Sequence, residues 1–352
     1  MLVTPANLNI FFTALETRFW NAVGTTPIFY DKFSTTFPVG TELWLSGWLD
    51  MVDKMREWLG PRITRTPAPI TYQVGMQNFE LTEGIDLFKL QDDQHGIYAP
   101  TVSFMGMQTA KWPDYQLRDM LQNQGSQTGA RQNGYDALSF FNTAHQVDFW
   151  DSSKGTFTND YSNGGVTINS KLIGGGLAAN SFATVWQDMA RRKAASGEPW
   201  GIIPNLALTG PMLKLTMDTI LQSQFMGLPV IGNLGTQATP SGFPSNVAAN
   251  PNQYMVGASE NVLKAWTDRI MWPDLGGSTS IGGGTYDDIW YLMDTNRHVR
   301  PLVWLLRMAP DFVYRVQPDD PIVFDSHTIA FGSKARGAPA WSFFQFLSRS
   351  GP

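Results

Sequence analysis

The chain has no cysteine among its 352 residues and is poor in basic residues. Without cysteine there are no disulfides, thiolate metal sites or cysteine nucleophiles, which fits folding in a reducing compartment. The 25 Lys and Arg against 30 Asp and Glu give a net charge of −5. Proteins that hold the phosphate backbone of nucleic acids usually present a basic surface. We therefore expect no sequence-specific binding of nucleic acid.

Long apolar runs are also missing. The longest, such as residues 302–306, are far shorter than the roughly 20 residues that a membrane-spanning helix needs. The N-terminal region has no basic leader, because its first positive charge is Arg18. We expect neither secretion nor membrane insertion. Apolar residues still make up 43% of the chain, enough for the core of a folded protein of roughly two domains.

Helical spacing of apolar residues recurs in four places. An N-terminal helix, capped by Asn7 or Asn9, should end near Gly24 and carry an apolar stripe of Ile10, Phe11, Phe12, Leu15 and Phe19. Further helices are expected over residues 100–124, over residues 181–195 and from residue 209 onward. A short helical turn is also expected over residues 54–60, with Gly60 ending it. Pro113 should kink or divide the second helix. Asn180 should cap the third, whose stripe is Phe182, Val185, Trp186 and Met189.

Strand signals occupy the remaining apolar segments. Residues 70–74 and 84–90 predict the two strands of a long hairpin, and short strands follow from residue 286 onward. No repeat with a period of 20 to 50 residues is evident, which disfavours solenoids and propellers.

The strongest candidate for metal or acid/base chemistry is the group Asp92, Asp93 and His95. Imidazole and carboxylate suit divalent ions, but adjacent aspartates point apart on a strand and no further His or Glu lies nearby. Two more Asp pairs, at residues 287–288 and 319–320, also flank Gly or Pro turns. We therefore interpret the group as a turn and helix cap, and predict no metal.

Other motifs lack a required residue. Residues 159–165 resemble a calcium loop, but Tyr161 stands at a ligand position and Ser170 at the position of the closing Glu. The glycine-rich residues 276–284 lack the Gly-Lys-Ser/Thr ending of a phosphate loop. Neither His-Glu-x-x-His nor Gly-x-Ser-x-Gly occurs, and the 4 histidines are scattered. We predict no catalytic residues and no cofactor.

Residues 219–259 contain no Asp, Glu, Lys or Arg. One interpretation is a neutral surface loop. The other is a segment packed around a rotation axis, where each charge would meet its own copies.

Five stretches, in order along nearly the whole chain, resemble the major head subunits of Mu-like phages and prophages, the gpT-type coat proteins. They are MREWLGPRI (55–63), NFELTEGIDLFKLQDDQHGIYAP (78–100), YDALSFFNTAH (135–145), WYLMDTNRHVRPLVWLLRMAPDFV (290–313) and FGSKARGAPAWSFFQFLSRS (331–350). Residues 227–284 match least. The resemblance implies an α+β coat fold of the HK97 type.

The same resemblance implies a domain organisation. It assigns residues 1–59 to an N-terminal arm, 60–97 to the extended hairpin called the E-loop, 98–204 to a peripheral domain with a spine helix over 98–124, 205–290 to an axial domain, and 291–352 to the return into the peripheral domain. Residues 92–96 would then join the E-loop to the spine helix. Related shells can lose an N-terminal segment or crosslink Lys to Asn; we expect neither here, because the chain starts at Met1 and no crosslinking centre is evident around Lys89.

The implied function is that of a major capsid protein. It would assemble into hexamers and pentamers of an icosahedral head around double-stranded DNA in the bacterial cytoplasm, with a scaffold, a portal and a decoration protein as further partners. A two-stranded hairpin is marginal alone, so the E-loop should lie on a neighbouring subunit. We predict assembly contacts at Arg56, Glu57, Trp58, Tyr72, Val74, Phe79 and Phe88.

Two alternatives remain open from sequence. The 13 Trp and the acidic turns suggest a carbohydrate-active enzyme or carbohydrate-binding module. That alternative needs two carboxylates facing a cleft beside an exposed Trp. A decoration or tail protein would lack both the long hairpin and the spine helix.

Overall fold

A computed structural model describes residues 5–49, 57, 61–62, 69–92, 96, 98–122, 129–162, 175–222, 225–227, 249–251, 267–278, 280–281, 284–315, 323 and 327–351. The chain divides into two compact units. The first unit comprises Met1–Leu45, Gln73–Asp119 and Val303–Ala340. The second unit comprises Ser46–Tyr72, Met120–Leu302 and Trp341–Pro352.

The structure mixes helices and strands along the chain. The helices are α1 (Pro5–Thr25), α2 (Tyr30–Phe33), α3 (Leu87–Asp92), α4 (Tyr98–Gln122), α5 (Gly175–Arg191) and α6 (Lys214–Gln222). The strands are β1 (Ser34–Pro38), β2 (Leu43–Leu49), β3 (Pro69–Gly75), β4 (Gln77–Asp86), β5 (His145–Gln146), β6 (Thr156–Phe157), β7 (Leu206–Thr209), β8 (Phe225–Gly227), β9 (Ala249–Pro251), β10 (Asp268–Met271), β11 (Ser280–Ile281), β12 (Gly284–Thr285), β13 (Trp290–Met293), β14 (Leu302–Arg315), β15 (Thr328–Trp341) and β16 (Leu347–Ser350). In the part of the chain that is described, no helix is both long and apolar enough to cross a membrane.

The core of the first unit forms where α1 and α4 meet a four-stranded sheet of order β1-β14-β15-β4. The apolar stripe of α1 is buried there and consists of Leu8, Phe12, Leu15 and Phe19. Ile10, which the predicted stripe included, is instead 70% exposed. A Cβ at Gly106 of α4 would lie 2.6 Å from the Phe19 carbonyl oxygen, so only glycine allows this close approach of the two helices. The predicted arm thus contributes α1 to a core.

The predicted hairpin of residues 70–74 and 84–90 is wrong. Strand β3 pairs with β2, and β4 pairs antiparallel with β15, with Ile85 opposite Ile329. Residues 87–92 are helical because the Asp86 carboxylate accepts hydrogen bonds from the backbone N–H groups of Phe88 (2.8 Å) and Lys89 (3.3 Å). The strand predicted over residues 84–90 is confirmed only at residues 84–86, and alternation could not identify its partner, β15, which is distant in sequence.

Helix α4 is continuous over Tyr98–Gln122, with Pro113 inside it. The predicted helix is confirmed, and Pro113 does not divide it. The next residue, Asp114, is buried, and its carboxylate accepts hydrogen bonds from the N–H groups of Phe29 and Tyr30 (2.7 Å to the latter). This carboxylate therefore ties the start of α2 to α4.

The second unit is built on a sheet of order β10-β7-β13-β16. Strand β7 runs parallel to β10 and antiparallel to β13, and every residue of β7 is buried. Helices α5 and α6 pack in the same core as β7 and β13. The described residues of 129–162 and 175–204 fall in the same unit as those of 205–290, and the domain boundaries implied by the resemblance stay a prediction.

The helices of the second unit differ from prediction at their ends. The predicted stripe of α5 is confirmed, since Phe182, Val185 and Met189 are buried. Its start is wrong: α5 begins at Gly175, so Asn180 lies inside the helix and is not its cap. Helix α6 begins at Lys214 and not near residue 209, because residues 206–209 form β7.

Candidate assembly interface

Three of the predicted contact residues lie in the segment before β3. Glu57 is exposed to solvent. Arg56 and Trp58 lie outside the described residues, as does most of the helical turn predicted over residues 54–60. Of these three residues, the structure therefore describes only Glu57.

Tyr72 and Val74 are buried in their own chain, with 5% and 2% of their surface exposed. The Tyr72 hydroxyl donates to the Ala130 carbonyl at 2.5 Å and accepts from the Trp341 N–H at 3.3 Å. Burial raises the pKa of Tyr72 well above its ordinary value. Both side chains therefore stabilise their own subunit and present little surface to a neighbour.

Phe79 is half-buried and lies in the wall of a groove, which we call the α4–β4 groove. The groove has a volume of about 270 Å³. Its apolar lining is formed by Phe79, Leu81, Trp112, Tyr115 and Ala335, and its polar lining by Glu80, Gln108, Thr109, Gln116 and Ser333. The rings of Phe79 and Trp112 pack with centroids 5.1 Å apart. Phe79 is thus a groove residue with part of its ring accessible.

Phe88, at the start of α3, is 59% exposed. Its ring lies 5.3 Å from that of His327, measured between centroids. Of the four predicted apolar contacts, Phe88 presents the largest surface to solvent. Two side chains of α4, Phe104 and Met107, are exposed as well.

The sequence prediction missed an exposed aromatic pair, Phe149 and Trp150, in the turn between β5 and β6. They are 42% and 62% exposed, and their rings meet edge to face with centroids 5.0 Å apart. We call residues 147–155 the aromatic tip. The signal was available in the sequence as DFWD (148–151), two aromatic residues between two turn-forming aspartates.

Hydrogen bonds within the subunit stabilise the conformation of the aromatic tip. The Asp148 carboxylate accepts from the Trp150 N–H at 2.8 Å and from Lys154 Nζ at 2.6 Å, and Lys154 Nζ also donates to the Ala195 carbonyl at 2.7 Å. Desolvation raises the pKa of Asp148, but the hydrogen bonds from Lys154 and Trp150 outweigh it, so this pKa lies below its ordinary value. The carboxylate therefore remains ionised and paired at neutral pH.

Residues 159–165 resemble a calcium loop in sequence. The structure describes residues 159–162 of this stretch, and these stabilise the fold. Asp160 is buried and forms an ion pair with Arg349, with Oδ2 and Nη2 2.6 Å apart. Its Oδ1 accepts from the N–H and hydroxyl of Ser162. Burial raises the pKa of Asp160, but the Arg349 charge and the hydrogen bonds from Arg349 and Ser162 together outweigh it, so this pKa is lowered. Both oxygens are engaged by the protein.

The other metal candidate is the group Asp92, Asp93 and His95, of which the structure describes only Asp92. Asp92 ends α3, whereas Asp93 and His95 lie outside the described residues. Gly96 has φ +65°, which fits the predicted turn before α4. Within the described ranges, no group of three or more His, Cys, Asp or Glu could hold a metal ion.

The carbohydrate alternative required two carboxylates in a cleft beside an exposed Trp. Trp150 is exposed, but the adjacent Asp148 is paired with Lys154, and Asp151 accepts from Ser153 in its own turn. The α4–β4 groove is lined by a single carboxylate, that of Glu80. Nothing in these arrangements favours glycoside chemistry.

A family model described as "Mu-like prophage major head subunit gpT" matches residues 8–172 and 274–351, which is more than half of the chain. The chain belongs to this family of major head subunits. The family predicted from sequence is confirmed, and the chain is a structural protein of the phage capsid. The unmatched residues 173–273 include most of the stretch, 227–284, that resembled the family least.

Two individual proteins illustrate the relationship. The major capsid protein of Escherichia phage Mu is 22% identical over 345 residues, which cover 98% of this chain and 73% of that protein. A chain from the procapsid of bacteriophage JBD30 is 20% identical with a TM-score of 0.50, and the match covers 99% of this chain and 76% of that chain. The structural likeness confirms the predicted α+β coat fold of the HK97 type.

Proposed function

We propose that copies of this chain assemble into hexamers and pentamers, and that these close into an icosahedral head enclosing double-stranded DNA. The observation that carries the proposal is the family match over residues 8–172 and 274–351. Repeated contacts between unlike surfaces close into rings when the rotation between neighbours is a fraction of a full turn. One sequence can then supply every position of the shell.

We place the E-loop on β2 and β3, residues 43–49 and 69–75, whereas the resemblance implied residues 60–97. These two strands form a sheet of their own, whereas residues 77–86 belong to the four-stranded sheet. An isolated two-stranded ribbon is marginally stable, so a neighbouring subunit that covers it would stabilise it. Leu43 and Leu45, both exposed on β2, supply apolar surface for that contact.

We assign the first unit to the peripheral domain, with α4 as its spine helix, and the second unit to the axial domain. Residues 219–259 belong to the second unit, and their lack of charge supports packing around a symmetry axis. Met212 and Leu215, exposed near the start of α6, add apolar surface in the same unit.

We further propose that assembly takes place in the host cytoplasm with a scaffold and a portal, and that a decoration protein binds the finished shell. The absence of cysteine supports a reducing site of assembly. The net charge of −5 supports a wall that encloses DNA without sequence-specific binding. The role is architectural rather than catalytic.

Expression of the chain alone, and together with the neighbouring phage genes, tests the proposal. Sedimentation followed by negative-stain electron microscopy should show closed shells or rings of six and five subunits in at least one condition. A matched variant with residues 50–68 replaced by a short Gly-Ser linker should sediment as unassembled subunits. Monodisperse monomers of the unmodified chain under both conditions would contradict the proposal.

A further inference from the structure

We propose that the aromatic tip of one subunit inserts Trp150 into the α4–β4 groove of a second copy of the chain. The inference rests on the proposed function, because it names a contact within the shell. It assigns a specific partner surface to two exposed aromatic side chains, Phe149 and Trp150, that the sequence prediction did not identify.

The tip has the composition of an interface anchor. Tryptophan and tyrosine dominate the binding energy of protein interfaces because each buries a large apolar area while keeping one polar group for a hydrogen bond. Phe149 and Trp150 stand together, 42% and 62% exposed, at the end of a short hairpin. Two adjacent exposed rings leave a considerable apolar area in water, and a partner surface would cover it.

The tip is also ordered before any partner arrives. Its backbone is fixed by the Val147 N–H donating to Gly155 O at 3.1 Å and by the Asp148 carboxylate accepting from the Trp150 N–H. Gly155 has φ +85°, a conformation that favours glycine. Binding would therefore restrict rotation about few further backbone bonds, which lowers the entropy cost of association.

Charges around the tip are already satisfied within the subunit. Lys154 Nζ lies between the Asp148 carboxylate and the Ala195 carbonyl, and Asp151 Oδ1 accepts from the N–H and hydroxyl of Ser153. An incoming surface need not neutralise these groups. The contact that remains is the pair of aromatic rings.

The α4–β4 groove complements one indole ring. A cavity of about 150 Å³ holds a benzene ring, and the groove, at about 270 Å³, is large enough for an indole. Its walls include the aromatic side chains of Phe79, Trp112 and Tyr115, which favour offset or edge-to-face packing with a further ring. The exposed carboxylate of Glu80 and the amide of Gln108 offer acceptors for the indole N–H.

A second copy is the occupant that this geometry favours. Every subunit carries both the tip and the groove, so the contact is heterologous and can repeat around a ring. A single chain supplies both halves in equal number at every position of a shell. A scaffold or decoration protein would need its own aromatic anchor for the groove.

Disulfide trapping tests the contact directly, because the chain has no cysteine to interfere. Ser152→Cys places a thiol on the tip while retaining Trp150, and Gln108→Cys places one at the exposed edge of the groove. Shells that combine the two single variants should give crosslinked dimers after mild oxidation, and a chain carrying both should give a ladder of higher multimers. Pairing Ser152→Cys with Thr13→Cys, an exposed position on α1, is the matched control and should give no ladder.

A second variant measures the energetic importance of the anchor. Trp150→Ala should raise the subunit concentration needed for assembly at least tenfold, while the melting temperature of unassembled subunits stays within about 1 °C of the unmodified chain, because Trp150 is mostly exposed. Two results together would overturn the contact and leave the proposed function intact. The cysteine variants would form shells without a crosslink, and Trp150→Ala would assemble at the same subunit concentration as the unmodified chain. Failure of the unmodified chain to assemble would instead overturn the proposed function.

Discussion

The two units differ in the kinds of side chain that they bury. The core of the first unit is apolar, with α1 and α4 packed on a sheet through side chains such as Phe12, Phe19 and Phe331. The second unit adds an ion pair to its apolar core: Asp160 pairs with Arg349, and the buried Arg192 donates to Gln345 O, Thr158 O and Ser348 Oγ. The second unit therefore adds a buried ion pair between distant segments to its apolar core, whereas the buried Asp114 carboxylate of the first unit accepts hydrogen bonds from backbone N–H groups.

Breaking the buried ion pair should have the largest effect. Arg349→Met leaves the Asp160 carboxylate buried without its cation, and we expect a loss of about 3–5 kcal/mol in the free energy of unfolding. Hydrogen exchange of unassembled subunits should show faster exchange in β13 and β16 than in β14. The double variant Asp160→Asn with Arg349→Met should recover part of the loss, and a single variant with unchanged exchange would refute the comparison.

Removing an apolar side chain from the first unit should have the opposite regional pattern. Leu15→Ala removes buried methyl groups of α1 and leaves a cavity, with an expected cost of about 2–5 kcal/mol. Faster exchange is expected in α1 and β14, with β16 protected as before. Ile10→Ala, at an exposed position of the same helix, is the matched control and should change stability by less than about 0.5 kcal/mol.

Acid should destabilise the second unit more than the first, because Asp160 becomes protonated. Its pKa in the folded chain is lowered, so the stabilisation is fully present above the unfolded value of about 4 and is lost as the pH falls through the folded value. Hydrogen exchange corrected for pH should show β16 losing protection below about pH 4. The double variant Asp160→Asn with Arg349→Met should lack this contribution, and an identical acid response in both proteins would count against it.

Removing the cap of α3 should give the smallest effect. Asp86→Ala deletes the acceptor for the Phe88 and Lys89 N–H groups, and we expect a loss of about 1 kcal/mol. Urea denaturation followed by tryptophan fluorescence would measure it. Asp86→Asn keeps an acceptor oxygen and should recover most of the loss; equal losses in the two variants would show that the cap contributes little.

Local apolar patterns could be predicted from the sequence, whereas contacts between distant residues could not. Apolar stripes act locally, so the stripes of α1 and α5 and the extent of α4 were largely predictable. Asp160 and Arg349 are separated by 189 positions, and no spacing rule joins them. The partner of β4 was missed for the same reason, since β15 lies far along the chain.

The predicted contact residues show a similar division. Tyr72 and Val74 have the apolar character of an interface, but alternation along a strand cannot tell a surface that faces a neighbour from one that faces the chain's own core. Phe149 and Trp150 were missed because an aromatic pair in a turn carries no periodic signal. Their exposure became evident only with the structure.

Cryo-electron microscopy of particles formed by this chain tests the central claim most directly. We predict closed shells of hexamers and pentamers in which strands β2 and β3 lie on a neighbouring subunit and Trp150 occupies the α4–β4 groove of a second copy. A preparation containing only separate subunits, under every condition of co-expression with the neighbouring phage genes, would contradict the account.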